Sequence, residues 1–442
     1  MTEGRRAYRA LWTGWPLHRL TFPLVGMVVA VGTALSTQHM LHAPYVTWPE
    51  VSTAWHESLR LPGALAAGFS AFAAASIFTS RSPISLPIRP RLGGRAVATH
   101  IAGVAVWALI GHVLGMMPVT AYAVGSATWG HLRILDVLVS LAGLALVVAS
   151  GFVAGVVIRS AKVAPPLVAI AALVIMQLPN NPLLRPLALL QPVQQWTTSD
   201  LKFVPNTAVS VFSFIFAVVG ILAAVATADA VLCGLRRLGP AHIAWALAPL
   251  VLATVAFAWR PELYVDSGKR PQVCTSVHDV PVCLHEAHAK SLDTVAETVA
   301  SLQSAGAEPL INSVTGESVS DVNTSRQGNA VISLNLTPDS PRLAAQTVPE
   351  QVAIQVSTAA AVPAGPCSSR QHHDLGALVR HRILTDAGYG HVADLFTSTF
   401  PDLSEAEQVL EEMSSAQFAD FVAQRHETIV ACQLTTQDVT EL

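Results

Sequence analysis

The first 259 residues contain seven long apolar segments separated by polar ones. Each approaches the roughly 20 residues that an α-helix needs to cross the hydrocarbon core of a bilayer. The fifth segment is short and bounded by prolines. The pattern predicts seven transmembrane helices, over residues 20–38, 62–80, 97–117, 134–158, 163–180, 206–234 and 241–259.

From residue 260 onward the apolar runs become shorter and are broken by charged residues. The stretch "AVISLNL" over 330–336 predicts a strand, and the polar stretch 312–328 predicts a loop. Ser404 with Glu407 has the spacing of a capping box at the start of a helix. Apolar residues at helical spacing predict helices over 283–305, 341–361, 373–387, 403–413 and 415–431.

These patterns predict an α-helical membrane protein, in which a bundle of about seven transmembrane helices precedes a mostly α soluble domain. The predicted domains are 1–19, 20–259 and 260–442. The segment 1–19 mixes arginines with aromatic residues, as amphipathic segments in the headgroup layer do. A secretory signal is the competing interpretation of this start.

Composition and charge support the division into two regions. The chain is 52% hydrophobic and 12% charged, with a mean hydropathy of +0.47. Residues 1–259 hold 16 Lys and Arg against 6 Asp and Glu, whereas residues 260–442 hold 10 against 23. An acidic domain without a basic aromatic patch argues against nucleic-acid binding.

The positive-inside rule predicts the orientation of the bundle. Segments 1–19, 81–96, 159–163 and 235–240 carry 12 Lys and Arg, whereas the alternate loops carry 4. The N-terminus is therefore predicted to be cytoplasmic. Seven crossings then place residues 260–442 outside the cell membrane.

Four of the five cysteines fall in the predicted outer domain, where an oxidising environment favours disulfides. Chain proximity suggests the pairs Cys274–Cys283 and Cys367–Cys432, which is one of the three connectivities that four cysteines allow. Cys233 lies at the inner end of the sixth predicted helix. We expect a stapled helix start around residue 283.

A metal site is the alternative interpretation of the same stretch. His285 and His288 share a face of the predicted helix, and His278 lies nearby. Zinc proteases use His-Glu-x-x-His, however, whereas this chain has "HEAH". The sequence therefore predicts disulfides, with no metal and no cofactor.

His112 is the ionisable residue in the middle of a predicted transmembrane helix. Such residues are functional candidates, although a neutral histidine bonded to a neighbouring helix is the simpler expectation. The chain has neither a phosphate-binding G-x-x-x-x-G-K-[ST] loop nor a G-x-S-x-G motif. We therefore expect any ATP hydrolysis to occur on a partner chain.

Three stretches carry a family resemblance. They are "TAWHESLRLPGALAAGFSAFAAASIFTSRSPISLPIRPRLGGRAVATHIAGVAVW", "VCTSVHDVPVCLHEAHAKSLDTVAETVASLQSAGAEPL", and the segment from "GPCSS" to "FADFVAQRHETIVAC". Together they resemble ABC-2-type permease-like membrane proteins of actinobacterial type, over about residues 50–432. One departure is that the group tends to have a proline before its Glu-His pair, where this chain has Ala287 between Glu286 and His288.

The resemblance implies a permease core of six helices plus one, working as a dimer with a separate cytoplasmic ABC ATPase. Arg89, Arg91 and Arg95, in the basic loop after the second helix, would contact that ATPase. The resemblance implies an exporter subunit and not an enzyme. Two alternatives stay open: an ATPase-driven transmembrane transducer that transports nothing, and a membrane-anchored metalloenzyme using His278, His285 and His288.

Overall fold

A computed structural model describes most of the chain. The described residues are 21–42, 46–77, 93–177, 190, 201–233, 240–259, 261–317, 319, 329–332, 334, 347–361, 367, 369–394 and 403–440. The chain divides into two compact units. The membrane unit comprises residues 1–197 and 203–265, and the C-terminal unit comprises residues 198–202 and 266–442.

The membrane unit is a bundle of apolar helices. Six of its described helical segments are long and apolar enough to cross a membrane, and a seventh, α6, is shorter. A short ladder of strands β1 (Phe203–Pro205) and β2 (Tyr264–Asp266) lies near its chain exit. The helices are α1 Thr21–Thr37, α2 Trp48–Glu57, α3 Arg60–Ile77, α4 Gly93–Ser126, α5 Ile134–Ile158, α6 Ala164–Gln177, α7 Thr207–Cys233 and α8 Pro240–Trp259.

Contacts between helices give their directions. We name the two ends of the unit by Arg133, just before α5, and Arg159, just after it. Helix α3 runs parallel to α5, because Ala67 lies beside Gly151 and Ala71 beside Gly155. Both helices therefore run from the Arg133 end to the Arg159 end.

The short helix α6 runs the opposite way. Ala169, near its start, lies beside Gly68 of α3, whereas Met176, near its end, lies beside Gly63. Helix α7 then begins at the Arg133 end, where the Ser210 hydroxyl donates a hydrogen bond to Asp136 at 3.0 Å. The chain therefore returns across the bundle between Arg159 and Ser210.

Helix α8 completes the pattern by running back along α7. His242 near its start lies 3.5 Å from Asp229 near the end of α7, and Trp259 at its end packs on Phe212 near the start of α7. The Asn206 amide then donates to the Leu263 carbonyl at 2.9 Å. The chain thus leaves α8 at the Arg133 end.

Glycines allow the closest helix contacts in the bundle. A side-chain carbon at Gly155 would overlap the backbone of Ala71, and one at Gly151 would overlap that of Ala67. On the other side of the bundle, Gly111 of α4 meets the backbone of Gly26 in α1. Small residues at such positions are typical of helix association in membranes, where apolar burial supplies little driving force.

The C-terminal unit combines helices with a four-stranded sheet. Its strand order is β3-β4-β5-β6, with β3 and β4 antiparallel and the other neighbours parallel. The buried side chains Val295, Val299 and Leu302 lie on one face of α9, at the helical spacing expected from the sequence. The elements are β3 Gln272–Val277, β4 Val280–His285, α9 Leu292–Leu302, β5 Ser313–Gly316, β6 Asn329–Ile332, α10 Val348–Ala361, α11 Arg370–Asp386, α12 Gly390–Ala393, α13 Ser404–Glu412, α14 Ser415–Val430 and α15 Thr436–Thr440.

Three local predictions for this unit need correction. The predicted helix 283–305 is helical only from Glu286, as a 3-10 helix to Ser291 and an α-helix from Leu292, because the alternating buried residues before it form strand β4. The predicted loop 312–328 begins with strand β5, which pairs with both of its neighbours. The predicted capping box at Ser404 does not form, since Leu403 is the N-cap residue of α13; Ser414 and Gln417 form one at the start of α14 instead.

Candidate functional site

A buried hydrogen-bonded network lies inside the membrane unit and centres on His112 of α4. The ring nitrogen Nδ1 lies 3.1 Å from the Thr33 hydroxyl of α1, and Nε2 lies 3.4 Å from the Ser140 hydroxyl of α5. All three side chains are fully buried. The expectation that His112 bonds to neighbouring helices is therefore confirmed.

Helix α2 contributes the other wall of this network. The Ser140 hydroxyl donates to the carbonyl oxygen of Trp55 at 2.6 Å, and the Trp55 ring meets His112 edge to face, with centroids 5.3 Å apart. The Ser58 hydroxyl approaches the sulfur of Met116, one turn beyond His112, at 3.5 Å. The network therefore joins α1, α2, α4 and α5 in one polar cluster.

A second polar cluster lies at the Arg133 end. The carboxylate of Asp136 is 3% exposed as a residue and accepts from Arg133 Nε at 3.2 Å and from the Ser210 hydroxyl at 3.0 Å. Arg133 also donates to the carbonyl oxygen of Pro205 at 2.9 Å. These bonds attach the start of α7 to α5. Arg133 and Asp136 are three residues apart at the start of a helix, and this spacing is the signal that the sequence offers for the pair.

Tyr264 of β2 extends this cluster. Burial raises the pKa of its hydroxyl, and the nearby carboxylates of Glu57 and Asp136 raise it further, whereas Arg133 opposes them. The phenol therefore stays protonated across the physiological range. At the opposite end of the unit, Nε2 of His242 in α8 lies 3.5 Å from a carboxylate oxygen of Asp229 in α7.

The structure joins the cysteines of the C-terminal unit in the two pairs that chain proximity suggested. Cys274 and Cys283 occupy directly opposed positions of strands β3 and β4, so this bond staples a hairpin and not a helix start. The turn of that hairpin consists of His278 and Asp279, both at positive φ. Cys367 bonds to Cys432 across a separation of 65 residues and ties the approach to α11 to the end of α14.

Cys432 also terminates α14. Its φ is 56°, and the amides of Cys432 and Gln433 donate back to the carbonyls of Ile429 and Thr428, at 3.0 and 2.8 Å. This is a Schellman motif, which usually places glycine at the left-handed position. Helix α11 ends in the same way with Gly388, at a φ of 89°.

Arg382 of α11 supports the same region. Its guanidinium donates to the carbonyl oxygens of Leu410, Glu411 and Met413 at 3.0–3.2 Å, at the C-terminal end of α13. It also pairs with Asp386 at 3.1 Å. A cation at a helix C-terminus complements the carbonyls left unpaired there. Arg382 thus fixes α13 against α11.

The three histidines of the metal alternative do not form a metal site. Across the part of the chain that the structure describes, no three His, Cys, Asp or Glu side chains are placed to hold a metal ion. His285 Nδ1 accepts from the Ala287 amide, and His278 Nδ1 lies 3.1 Å from the amide oxygen of Gln303. Burial, with repulsion from His285 as the smaller cause, lowers the pKa of His288 to about 4.

No known family model, curated protein or solved structure matches this chain.

The predicted ATPase-coupling residues can be placed only in part. Arg89 and Arg91 lie outside the described residues. The backbone of Arg95 lies in the first turn of α4, and its side chain is outside what the structure describes.

Proposed function

We propose that this chain is the membrane-spanning permease subunit of an ABC-type exporter. In this proposal it forms a dimer in the cell membrane and works with a separate cytoplasmic ATPase. The family resemblance of the sequence supports this assignment, and the helical membrane unit fits it. The substrate class expected from the resemblance is an amphiphile such as a lipid, a peptide or an antibiotic-like molecule.

The observation that carries the proposal is the return of the chain along α6. Helix α6 spans 14 residues, which is about 21 Å at the helical rise and short of a typical hydrocarbon core. Its direction, and the start of α7 at the Arg133 end, nevertheless favour a seventh crossing. An odd count puts the basic loop 81–96 and the exit toward the C-terminal unit on opposite sides of the membrane. Arg89, Arg91 and Arg95 then face an ATPase, and the C-terminal unit is extracytoplasmic.

The disulfides support the same orientation independently. Paired cysteines persist in oxidising compartments and are rare in the cytosol. Both pairs belong to the C-terminal unit. The positive-inside rule predicts the same orientation, because Lys and Arg are concentrated in the loops that would be cytoplasmic.

The polar interior of the bundle supports transport. Polar and ionisable groups inside a membrane are costly and mark pathways or functional sites. Here the His112 network joins four helices, and Asp136 and Arg133 continue the polar character toward the Arg133 end.

Co-purification tests the proposal. We expect the tagged full-length chain to retain an ABC ATPase, and the triple substitution of Arg89, Arg91 and Arg95 by glutamate to release it. Lys269→Glu, in the predicted outer region, is the matched charge control and should leave the ATPase bound. Retention of the ATPase by the triple variant would contradict the coupling role assigned to this loop. Absence of any ATPase from the wild-type preparation would count against the permease assignment.

A transducer is the second candidate, favoured by the connection between α8 and the C-terminal unit. Only a few residues separate Trp259 from β2, whose final residue already belongs to the C-terminal unit. Movement of α8 would therefore be transmitted over a short distance. Vesicles containing the chain and its ATPase separate the candidates: ATP turnover with movement of an amphiphile across the bilayer supports the exporter, and turnover without movement supports the transducer.

A further inference from the structure

The hydrogen bonds around His112 determine where its ring carries hydrogen. The Ser140 hydroxyl has one hydrogen, and it donates that hydrogen to the Trp55 carbonyl. The contact between Ser140 and Nε2 therefore needs a hydrogen on Nε2. Nδ1 of the neutral ring is then an acceptor, and the Thr33 hydroxyl donates to it. The neutral ring with hydrogen on Nε2 satisfies every group in this chain of bonds.

A protonated ring does not fit the same arrangement. The imidazolium carries a hydrogen on Nδ1 as well, so the Thr33 hydroxyl has to turn its own hydrogen away. In the described part of the chain, the His112 ring bonds to the Thr33 and Ser140 hydroxyls and to the Trp55 carbonyl oxygen, and none of these partners is a carboxylate. A buried cation without a paired anion is strongly disfavoured.

Neighbouring titratable groups do not supply that anion. From α2, His56 is 2% exposed and would repel a second positive charge. From α5, Asp136 is already engaged by Arg133 and Ser210. Helix α1 contributes the Thr33 hydroxyl. The closed arrangement therefore offers no anion that would stabilise a protonated His112. Protonation requires an arrangement in which water reaches the ring.

The helices around His112 have little slack to accommodate such a change. Gly111, one residue before His112 in α4, meets the backbone of Gly26 in α1. A side-chain carbon added at Gly115 would lie only 2.7 Å from the carbonyl oxygen of Ala30 in α1. Interfaces packed this tightly change between discrete arrangements more readily than they deform. Separation of α4 from α1 and α5 would let water reach the His112 ring.

We propose that His112 is an intramembrane proton-binding site that couples proton uptake to separation of α4 from α1 and α5. A proton binds more tightly to the opened arrangement, so acidification shifts the bundle toward it by linkage. A role of this proton binding in regulating transport rests on the proposed permease function. The proton binding itself and the helix separation do not depend on that function.

Tryptophan fluorescence of the full chain in lipid nanodiscs tests the proposal. All nine tryptophans lie in residues 1–259, and subtracting the spectrum of Trp55→Phe isolates the signal of Trp55. A protonated imidazole quenches an adjacent indole. We expect the Trp55 signal to fall between about pH 7 and about pH 4, because opening of the bundle opposes proton uptake. Quenching by added acrylamide should rise in the same range as the ring becomes accessible.

His112→Gln is the decisive variant, because its amide supplies a donor and an acceptor but takes up no proton in this range. It should keep the fold and lose both pH responses, whereas His56→Gln should retain them. His112→Asn serves the same purpose if the glutamine variant does not give monodisperse protein. A wild-type Trp55 signal that is flat with pH, or a response that survives in the His112 amide variants, would overturn the proposal. Neither result requires an ATPase, so failure here leaves the permease assignment standing.

Discussion

The two units of this chain expose different kinds of residue. Among the described residues, the large hydrophobic side chains that are exposed all lie between Leu24 and Trp259, in the membrane unit. Helix α8 is an extreme case, because most of its apolar side chains face outward. In the C-terminal unit, Leu, Ile and Phe side chains form the interior, as they do at Leu284, Ile332 and Phe418.

The interiors differ in the complementary sense. Helix α3 buries mainly alanines, a glycine pair and Ser70, and its neighbours add His112, Ser140 and Asp136. In lipid, apolar burial supplies little driving force, so close backbone packing and interhelical hydrogen bonds hold the helices together. In water, transfer of large apolar side chains from solvent is the main favourable contribution. The comparison indicates that each unit is folded for a different solvent.

The largest difference that we expect concerns the long disulfide. On the chain-entropy model, Cys367→Ser lowers the free energy of unfolding of the C-terminal unit by roughly 4 kcal/mol, because the closed loop is long. The membrane unit should be unaffected. Hydrogen exchange of α11 and α14 amides measures the first effect, and tryptophan fluorescence, which reports only on residues 1–259, measures the second.

Two substitutions at Cys432 refine this prediction. Cys432→Ser should match Cys367→Ser, whereas Cys432→Gly should be less destabilised by about 1 kcal/mol, because glycine removes the cost of a side chain at positive φ. Equal stabilities of the two Cys432 variants would show that the left-handed position carries no strain. If loss of the Cys367–Cys432 disulfide destabilised the membrane unit as much as the C-terminal unit, the two units would not unfold independently, contrary to this prediction.

The second prediction concerns the glycine contacts of the membrane unit. Gly155→Val should lower its stability by about 3 kcal/mol, because the added side chain overlaps the backbone of Ala71 and forces α5 away from α3. Gly125→Val is the matched control, since no described atom lies within 4 Å of an added side-chain carbon there. Thermal unfolding followed by tryptophan fluorescence measures both. Similar losses for the two variants would exclude close packing as the cause.

How far the sequence predicts this architecture follows from the same physical difference. Hydrophobic length predicts most of the long helices of the membrane unit within a few residues, because a bilayer imposes the length of its spans. Helix α4 is the exception, since it continues to Ser126 although its predicted end is residue 117. Of the sheet in the C-terminal unit, the sequence predicted only the strand over 330–336, which overlaps β6. The other three strands were missed, because they are only four to six residues long and the stretch after β4 has helical spacing. The disulfide partners follow from chain proximity, but the hairpin that carries Cys274 and Cys283 does not.

The candidate site was accessible to sequence reasoning only in part. His112 stands out as an ionisable residue within an apolar segment. Its partners Thr33 and Ser140 do not, because small hydroxyl residues are common in membrane helices and pair only once the helix neighbours are known. The Arg382 contacts with the end of α13 likewise depend on tertiary packing, since the partners are backbone carbonyls 28 to 31 residues away.

The third prediction is a pH dependence confined to the C-terminal unit. The pKa of His288 is lowered to about 4 in the folded state, so the unfolded state binds the proton first as the pH falls below the ordinary histidine value of 6.5. Stability is therefore lost between these two values, by at most about 3 kcal/mol, and is flat for this group above them. Urea unfolding monitored by hydrogen exchange of α9, at neutral and acidic pH, should show the loss in the wild type and a smaller one in His288→Gln. An identical pH dependence in the variant would contradict the assignment.

The smallest effect is expected at the outer face of α8. Leu250 is 63% exposed, so Leu250→Ala removes few protein contacts and should change the stability of the purified membrane unit by less than about 0.5 kcal/mol. The measurement is thermal unfolding in detergent. A much larger loss would mean that protein, and not lipid, covers this face of α8.

Sidedness is the measurement that tests the account most directly. Lys162 lies between α5 and α6 at the Arg159 end, and Lys269 follows β2; both are exposed. Each is replaced by cysteine in a Cys233→Ser background, and intact cells are treated with a membrane-impermeant maleimide. An odd number of crossings predicts labelling of Lys269→Cys in intact cells and of Lys162→Cys only after permeabilisation. Labelling of both variants, or of neither, before permeabilisation would contradict the seventh crossing along α6 and the extracytoplasmic C-terminal unit with it.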